Sequence, residues 1–410
     1  MPEIDAGDTS WILVSTALVM LMTPALAFFY GGLVRRKNVL GTLMHSFFML
    51  GLISIQWVLW GYTLAFGPSV GGFIGSLSYL GLNGVGAEPN ADYAATIPGL
   101  AFMAFQMMFA VITPALITGA FAERKRFKAF VLFSLLWATF VYDPLAHWVW
   151  GVGGWLRTMG ALDFAGGTVV HISAGVAALV AALVLGRRLG FGKEPMEPHN
   201  VPYVVLGAGI LWFGWFGFNA GSALGANGLA AFALVNTHVA AAMAAITWTT
   251  VSWATSGRPS VVGAACGAVA GLVAITPAAG FVTPAAAILI GLGAGVFCFY
   301  AVKLIKARLG VDDSLDVVGV HGIGGIWGAL ATGLFATKSV NEAGADGLFY
   351  GNPQQLLTQL IAVVATCVFS AVVTFIILKL VDVTVGLRVS EVEEEHGLDL
   401  SQHGEPAYQL

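Results

Sequence analysis

The chain predicts an all-α polytopic membrane protein: eleven transmembrane helices, a five-plus-five inverted repeat followed by an eleventh helix, N-terminus outside and C-terminus cytoplasmic. Three observations carry that expectation: composition, the spacing of apolar runs and the side on which basic residues fall. Of 410 residues, 58% are hydrophobic and 10% charged, whereas ordinary soluble domains are roughly a quarter charged. The 53 glycines among many alanines suit helices that pack closely in lipid, where no hydrophobic force drives them together. A net charge of -4 with no basic stripe outside the turns argues against nucleic acid as a partner.

Apolar segments fall at about 9–34, 38–66, 97–122, 128–150, 163–186, 200–223, 227–255, 260–277, 284–305, 316–337 and 355–383. Each approaches the roughly 20 residues a spanning helix requires. With eleven spans, the turns alternate sides, and 16 of the 18 Lys and Arg residues collect on one side, leaving Arg157 and Lys338 on the other. Such a split follows the positive-inside rule and makes the basic side cytoplasmic. The acidic stretch Met1 to Asp8 lacks the positive region of a secretory signal. The outer loop 67–95 is rich in Gly, Ser and Asn and could carry a short helix. The polar turn 187–200, with Pro195 and Pro198, separates halves at about 9–186 and 200–337. An odd number of spans in each half makes them run in opposite senses, which places a site at the midplane between them. Residues 1–386 thus form the transmembrane domain and 387–410 a cytoplasmic tail.

Ionisable groups within spans are functional candidates, because hydrocarbon does not solvate them. Asp163 opens the fifth span and His171 follows eight residues later, about 12 Å deeper at the helical rise. Asp313 precedes His321 by the same interval, and Asp316 by five residues, at the start of the oppositely directed tenth span. Two antiparallel helices therefore carry one histidine each to similar depth. A structural reading stands beside this one: a buried histidine often only hydrogen-bonds, and Asp163 or Asp316 suits a helix N-cap. His45 and His238 lack a matched partner and read as packing residues, whereas His147 fits either role. His199, His396 and His403 fall in cytoplasmic segments. Cys266, Cys298 and Cys367 are scattered through apolar spans and read as packing residues, with no metal site or disulfide framework.

Aromatic residues gather in Phe105-Gln106-Met107-Met108-Phe109, at Trp148, Trp150 and Trp155, and at Trp212, Trp215, Phe216 and Phe218 beside Ser222. Interfacial belts explain any one of these groups. A vestibule offering ring faces to a cation explains them together, each contact contributing roughly 0.5–2 kcal/mol. Spacing alone leaves both open.

Several motifs resemble the ammonium transporter family (Amt/Mep/Rh), its Amt branch in particular. They are Asp163-Phe164-Ala165-Gly166-Gly167-Thr168-Val169-Val170-His171-Ile172, Trp215-Phe216-Gly217-Phe218-Asn219-Ala220-Gly221-Ser222 and His321-Gly322-Ile323-Gly324-Gly325, with the tail Gly397-Leu398-Asp399 and His403 to Tyr408. The similarity runs from about Trp11 to Tyr408. It implies a non-enzymatic, multi-pass cell-membrane protein: a homotrimer with a pore through each subunit, taking up ammonium (methylammonium as analogue) without a cofactor. By motif position, Trp150, Phe109 and Ser222 would bind ammonium, with Asp163 supporting them. Phe109 and Phe218 would close the pore and His171 and His321 would line it. Phe105, Gln106, Tyr142 and Trp215 fall at further pore or vestibule positions. Two departures stand out. Trp150-Gly151-Val152-Gly153-Gly154 is one residue longer than usual, which leaves Trp148 as an alternative to Trp150, and Ala25 replaces a frequent glycine.

Ammonium and potassium share size and charge, so a cation–π vestibule cannot separate them. Ammonium alone donates directional hydrogen bonds and can shed a proton. An apolar passage makes crossing as an ion expensive, and two neutral imidazoles can accept from and donate to ammonia within it. Ammonium would then be bound outside and deprotonated, with ammonia crossing and the proton left behind or relayed. One rival is a membrane oxidoreductase with histidine haem ligands, which requires room for a macrocycle between them. Another is an ammonium sensor that binds without conducting, weakened by a tail of only about 25 residues. The acidic Glu391, Glu393, Glu394 and Glu395 could be a solvated linker. The resemblance implies instead a segment packed on the cytoplasmic face, where a PII signal protein can dock.

Overall fold

The computed structural model describes residues 3–409. Met1 and Pro2, which begin the acidic stretch, and Leu410 lie outside the described residues. Ten helices among those residues are long and apolar enough to cross a membrane: Ala6–Leu33, Arg36–Phe66, Gly99–Phe121, Phe127–Met159, Gly167–Leu185, Val201–Ala223, Gly228–Ser256, Pro284–Arg308, Val318–Phe335 and Pro353–Val385. The chain is thus an all-helical, multi-pass membrane protein. Local chemistry sets several of the starts. Asp5, Asn200, Asn227, Ser260 and Thr283 each accept a hydrogen bond from a backbone N–H of the first turn, satisfying a donor the helix leaves unpaired.

The expected span at 260–277 is the shorter helix Val261–Ile275, of 15 residues. At the helical rise it covers only about 22 Å. Nearly all its residues from Gly263 onward are buried. Gly263, Gly267 and Gly271 recur every four residues against Trp248, Ala244 and Ala240, and a Cβ at Gly271 would lie 2.5 Å from the Ala240 carbonyl. Small residues at that spacing let the helix sink against Gly228–Ser256. The loop between Arg36–Phe66 and Gly99–Phe121 differs from the single short helix expected. It holds a 3-10 turn at Leu77–Leu82 and two strand pairs, Ser69–Val70 with Ile74–Gly75 and Pro89–Asn90 with Ala94–Pro98.

Turns that the basic-residue count places on one side converge on one face. There Glu123 accepts from Arg35 Nε at 2.9 Å and Arg188 Nη1 at 3.0 Å, and Arg188 Nη2 reaches Asp312 Oδ1 at 2.8 Å. Arg124 donates to the Asp312 carbonyl at 2.7 Å. Burial raises the Glu123 carboxyl, but Arg188 and Arg35 outweigh it and hold it below the usual carboxylate range. Asp312 is likewise held down against burial by its bonds to Arg188 and the charge of Arg124. One arginine thereby joins the turn after Gly99–Phe121 to the turn before Val318–Phe335.

The tail packs on this same face. Ser390 and Glu393 form a capping box at Glu391–His396, Glu394 is buried and takes bonds from Arg388 at 2.6 Å and the Leu189 N–H at 2.7 Å. Asp399 accepts from the Gly41 N–H at 2.9 Å, and Tyr408 meets His199 at 3.0 Å. A segment so bonded is not a solvated linker. On the opposite face the Phe164 N–H donates to the Pro277 carbonyl and the Thr337 N–H to Phe281.

Candidate functional site: an aromatic cavity and two facing histidines

The two histidine helices begin in the same way. Asp163 accepts from the backbone N–H groups of Gly166 (2.8 Å), Gly167 (2.6 Å) and Thr168 (2.8 Å), and from the Thr168 hydroxyl. It caps the helix that carries His171. In the other half Asp313, and not Asp316, accepts from the Val318 N–H at 2.7 Å. Asp316 instead has a left-handed backbone, φ 64°, and pairs with Lys306 at 2.6 Å. Both helices open with a widened π turn, Gly167–Ile172 and Val318–Gly322, and each turn contains its histidine. Such turns collect at functional positions because they redirect a side chain within a continuous helix.

Glycines set the approach of these helices. Gly175 and Gly325 each lie four residues past a histidine. A Cβ on Gly175 would sit 2.3 Å from Gly322 Cα, and one on Gly325 would sit 3.1 Å from His171 Cβ. With both backbones this close, the imidazoles stack, their centroids 5.3 Å apart and their planes 26° apart. The two Nδ1 atoms are 3.2 Å apart. One Nδ1 must donate and the other accept, so the pair shares one proton along this edge. The buried Nε2 of His171 has no protein partner among the described residues. Rings so close leave no room for a macrocycle between them, which removes the haem reading.

A column of rings leads away from the pair. Trp215 lies 5.5 Å and Phe218 6.1 Å from His171, both stacked on its face. The Trp215 indole is fixed by donation to Thr276 at 2.9 Å. Phe218 lies 4.2 Å from Phe109, and Phe109 meets Phe105 at 5.0 Å and the edge of Trp150 at 6.0 Å. Beyond Phe109 opens a cavity of about 250 Å³ lined by Trp150, Ser222, Gln106 and Asp163 among others.

The sequence candidates therefore fall into two groups. Trp150, Phe109, Ser222, Asp163 and Gln106 line the cavity, and Phe218, Trp215, His171 and His321 continue from it. Asp163 lines the cavity, yet its carboxylate is committed to the helix cap. Its carbonyl accepts from the Trp150 indole at 3.0 Å, so its support of the tryptophan runs through the backbone. Ser222 donates to the Phe218 carbonyl at 2.8 Å, which leaves its oxygen lone pairs open. Phe105 stands behind Phe109. Tyr142 is buried against Trp57, 6.2 Å away, and does not line the cavity. Trp150, not Trp148, faces the cavity: the Trp148 indole is turned to the Phe73 carbonyl at 2.8 Å and its ring lies on Phe369. His147 is structural, bonded to the Ala65 carbonyl and Ser69, while His45 and His238 pack among aromatic rings.

Several lining residues were not among those candidates: Phe66, Tyr93, Phe102, Arg157, Leu224 and Phe281. Tyr93 comes from the turn between two short strands and Arg157 from the short helix Trp155–Met159, neither of which periodicity reports. Buried Asp143, within the fourth span, was also passed over. It accepts from Gln56 at 2.7 Å, and a carboxylate inside an apolar run is the signal that marks it.

Comparison with known proteins agrees with this architecture. The family model described as Ammonium Transporter Family matches residues 10–408. An ammonium transporter of Bacillus subtilis is 57% identical over 403 residues, covering 98% of both chains. Ammonium transporter Amt1 of Archaeoglobus fulgidus is 51% identical, over 98% of this chain and 99% of its own. Among solved structures, Candida albicans Mep2 superposes with a TM-score of 0.90 at 40% identity, over 99% of this chain and 91% of that one. A protein described as a sensor Amt protein gives 0.89 at 30% identity, over 97% and 98%. A family match spanning nearly the whole chain, with the fold intact from end to end, makes this protein a member of the ammonium transporter family.

Proposed function

We propose that the chain takes up ammonium, recruiting it in the aromatic cavity and conducting ammonia past His171 and His321, with or without the proton. The 3.2 Å contact between the two Nδ1 atoms, behind the Phe109–Phe218 pair, carries this reading. Trp150 and Phe109 present ring faces to the cation. The Ser222 hydroxyl oxygen and the buried, unpartnered Gln106 Oε1 offer acceptors for its N–H groups. Phe109 and Phe218 then form an apolar closure in which an intact ion loses its hydration without replacement. Ammonia passes that closure far more cheaply, and potassium has no neutral form to adopt. Beyond it, the shared proton and the free His171 Nε2 supply both a donor and an acceptor to the moving molecule.

The architecture under this proposal is eleven spans, Val261–Ile275 included, in two inverted halves with the eleventh helix outside. The repeated Asp-to-His interval, the paired π turns and the glycine four residues past each histidine support that symmetry. The charged face, with the tail, is cytoplasmic. Residues 1–386 are the channel domain and 387–410 the tail. The assembly is a homotrimer in lipid, and a PII signal protein docks on the tail face; a pull-down against the cognate PII protein tests the last point.

Reconstituted in liposomes, wild-type protein should accelerate methylammonium entry, while His171→Ala and His321→Ala should each lose flux or selectivity over potassium. Wild-type flux and selectivity in both variants would remove the histidines from the pathway. The similarity to a sensor Amt protein favours a second reading, binding with signalling in place of transport. Wild-type liposomes that bind ammonium but pass none would establish it.

A further inference from the structure

Arg157 lies on the short helix Trp155–Met159, just after the glycine-rich turn that follows Trp150. It is the one basic residue among those lining the aromatic cavity. Its guanidinium donates from Nη1 to the Trp150 carbonyl at 2.5 Å and stands 5.9 Å from the Tyr93 ring centroid. Tyr93 is itself fixed, donating to the Phe66 carbonyl at 3.2 Å and accepting from the Val152 N–H at 3.0 Å. The arginine, exposed to solvent, is tethered at the cavity wall by its bond to the Trp150 carbonyl. The negative charge within the same wall, Asp163, is turned into a helix N-terminus that already offsets it. A cation entering the cavity meets a fixed positive charge that no free carboxylate on the wall compensates.

We propose that Arg157 is a specificity-determining residue of the entrance: its charge holds down the affinity of the cavity for ammonium and other cations. The proposal rests on the cavity being the ammonium entrance. Weak recruitment favours throughput, because a cation held tightly by the rings leaves them slowly. The same repulsion acts twice as strongly on a divalent cation and keeps such ions from lodging against Trp150. The hydrogen bond to the Trp150 carbonyl is a separate, positioning contribution. The two differ in one respect: bulk salt screens the charge and leaves a short hydrogen bond intact.

The discriminating measurement is the apparent KM for methylammonium uptake into proteoliposomes, for wild type, Arg157→Lys and Arg157→Met, across sodium chloride. A charge some 8 Å away through water changes affinity by about two- to threefold. The ratio of the Arg157→Met KM to the wild-type KM should therefore rise about two- to threefold between roughly 0.01 M and 1 M salt. Arg157→Lys, which keeps the charge, should show a KM whose ratio to wild type does not change with salt. A ratio independent of salt would overturn the proposal, whatever its absolute value, and reduce Arg157 to a prop for Trp150. Trp150→Ala separates the two levels of the argument. If it leaves KM unchanged, the cavity is not the entrance. If it raises KM while the Arg157 ratio stays flat, the entrance stands and the charge role alone fails.

Discussion

Gly175→Ala adds one methyl group where the two histidine helices touch, and the outcome can be worked from the contact itself. The new Cβ would lie 2.3 Å from both Cα and N of Gly322 and 3.1 Å from the His321 carbonyl carbon. Unstrained carbon contacts need about 3.5–4.0 Å, so the backbones must part by more than an ångström. Backbone atoms line the contact, and no flexible side chain can swing away to absorb the strain. Forcing a methyl into such a core destabilises by about 1–3 kcal/mol, leaving most of the protein folded. The larger consequence is local. A shift of that size stretches the 3.2 Å separation of the Nδ1 atoms past hydrogen-bond range, which ends near 3.2 Å for N–H donors. Methylammonium flux through the purified, reconstituted variant should then fall by at least about tenfold, the loss expected from a misplaced polar pair. Full wild-type flux from a folded Gly175→Ala protein would refute the claim that the spacing of the two imidazoles matters.

Asp163→Ala would strip the acceptor from four backbone N–H groups, Gly166 to Val169, and the Thr168 hydroxyl, and should lower stability by about 2–4 kcal/mol, the range for a buried charged acceptor removed from its donors. It should also weaken flux, because the turn that aims His171 and the carbonyl that holds Trp150 both loosen; thermal unfolding and uptake with wild-type values would contradict the cap. Arg188→Met leaves Glu123 and Asp312 without their shared partner and should cost about 3–5 kcal/mol at neutral pH. Both carboxyls are depressed in the folded protein, so their stabilisation is complete above the ordinary carboxylate range and is lost as pH falls through the folded values. The gap in unfolding temperature between wild type and Arg188→Met should accordingly narrow from pH 7 to about pH 3.5, and a constant gap would rule out the pairing.

How much of this could be read from the chain depends on how local the cause is. The spans are legible because a bilayer imposes a length that apolar runs must meet, and only Val261–Ile275 escapes that rule, being walled off by its neighbours. The equal Asp-to-His intervals were visible because a cap and a depth are both properties of one helix. Whether Asp313 or Asp316 forms the cap was not visible, since it depends on the left-handed turn at Asp316, whose side chain pairs with Lys306 on another helix. The π turns depend on how each capped end meets its surroundings, and the role of Gly175 on a backbone 147 residues away in sequence at Gly322. The choice between Trp148 and Trp150 rested on Phe73 and Phe369, partners distant in sequence, and the presence of Arg157 in the cavity wall on how the chain turns after Trp150. Composition alone allowed the tail to be a solvated linker, and only the family resemblance implied a docked segment. Its docking rests on partners at Arg388, Leu189 and Gly41 that its own sequence does not announce.

The central claim is that paired imidazoles behind a phenylalanine closure pass ammonium's nitrogen and refuse potassium. Its most direct test is a proteoliposome bearing wild type or the His171→Ala/His321→Ala protein, given matched ammonium and potassium pulses while current and internal pH are recorded together. Wild type should respond to ammonium alone, and the double variant should lose that response or admit potassium. An unchanged ammonium response with potassium still excluded in the double variant would contradict the account.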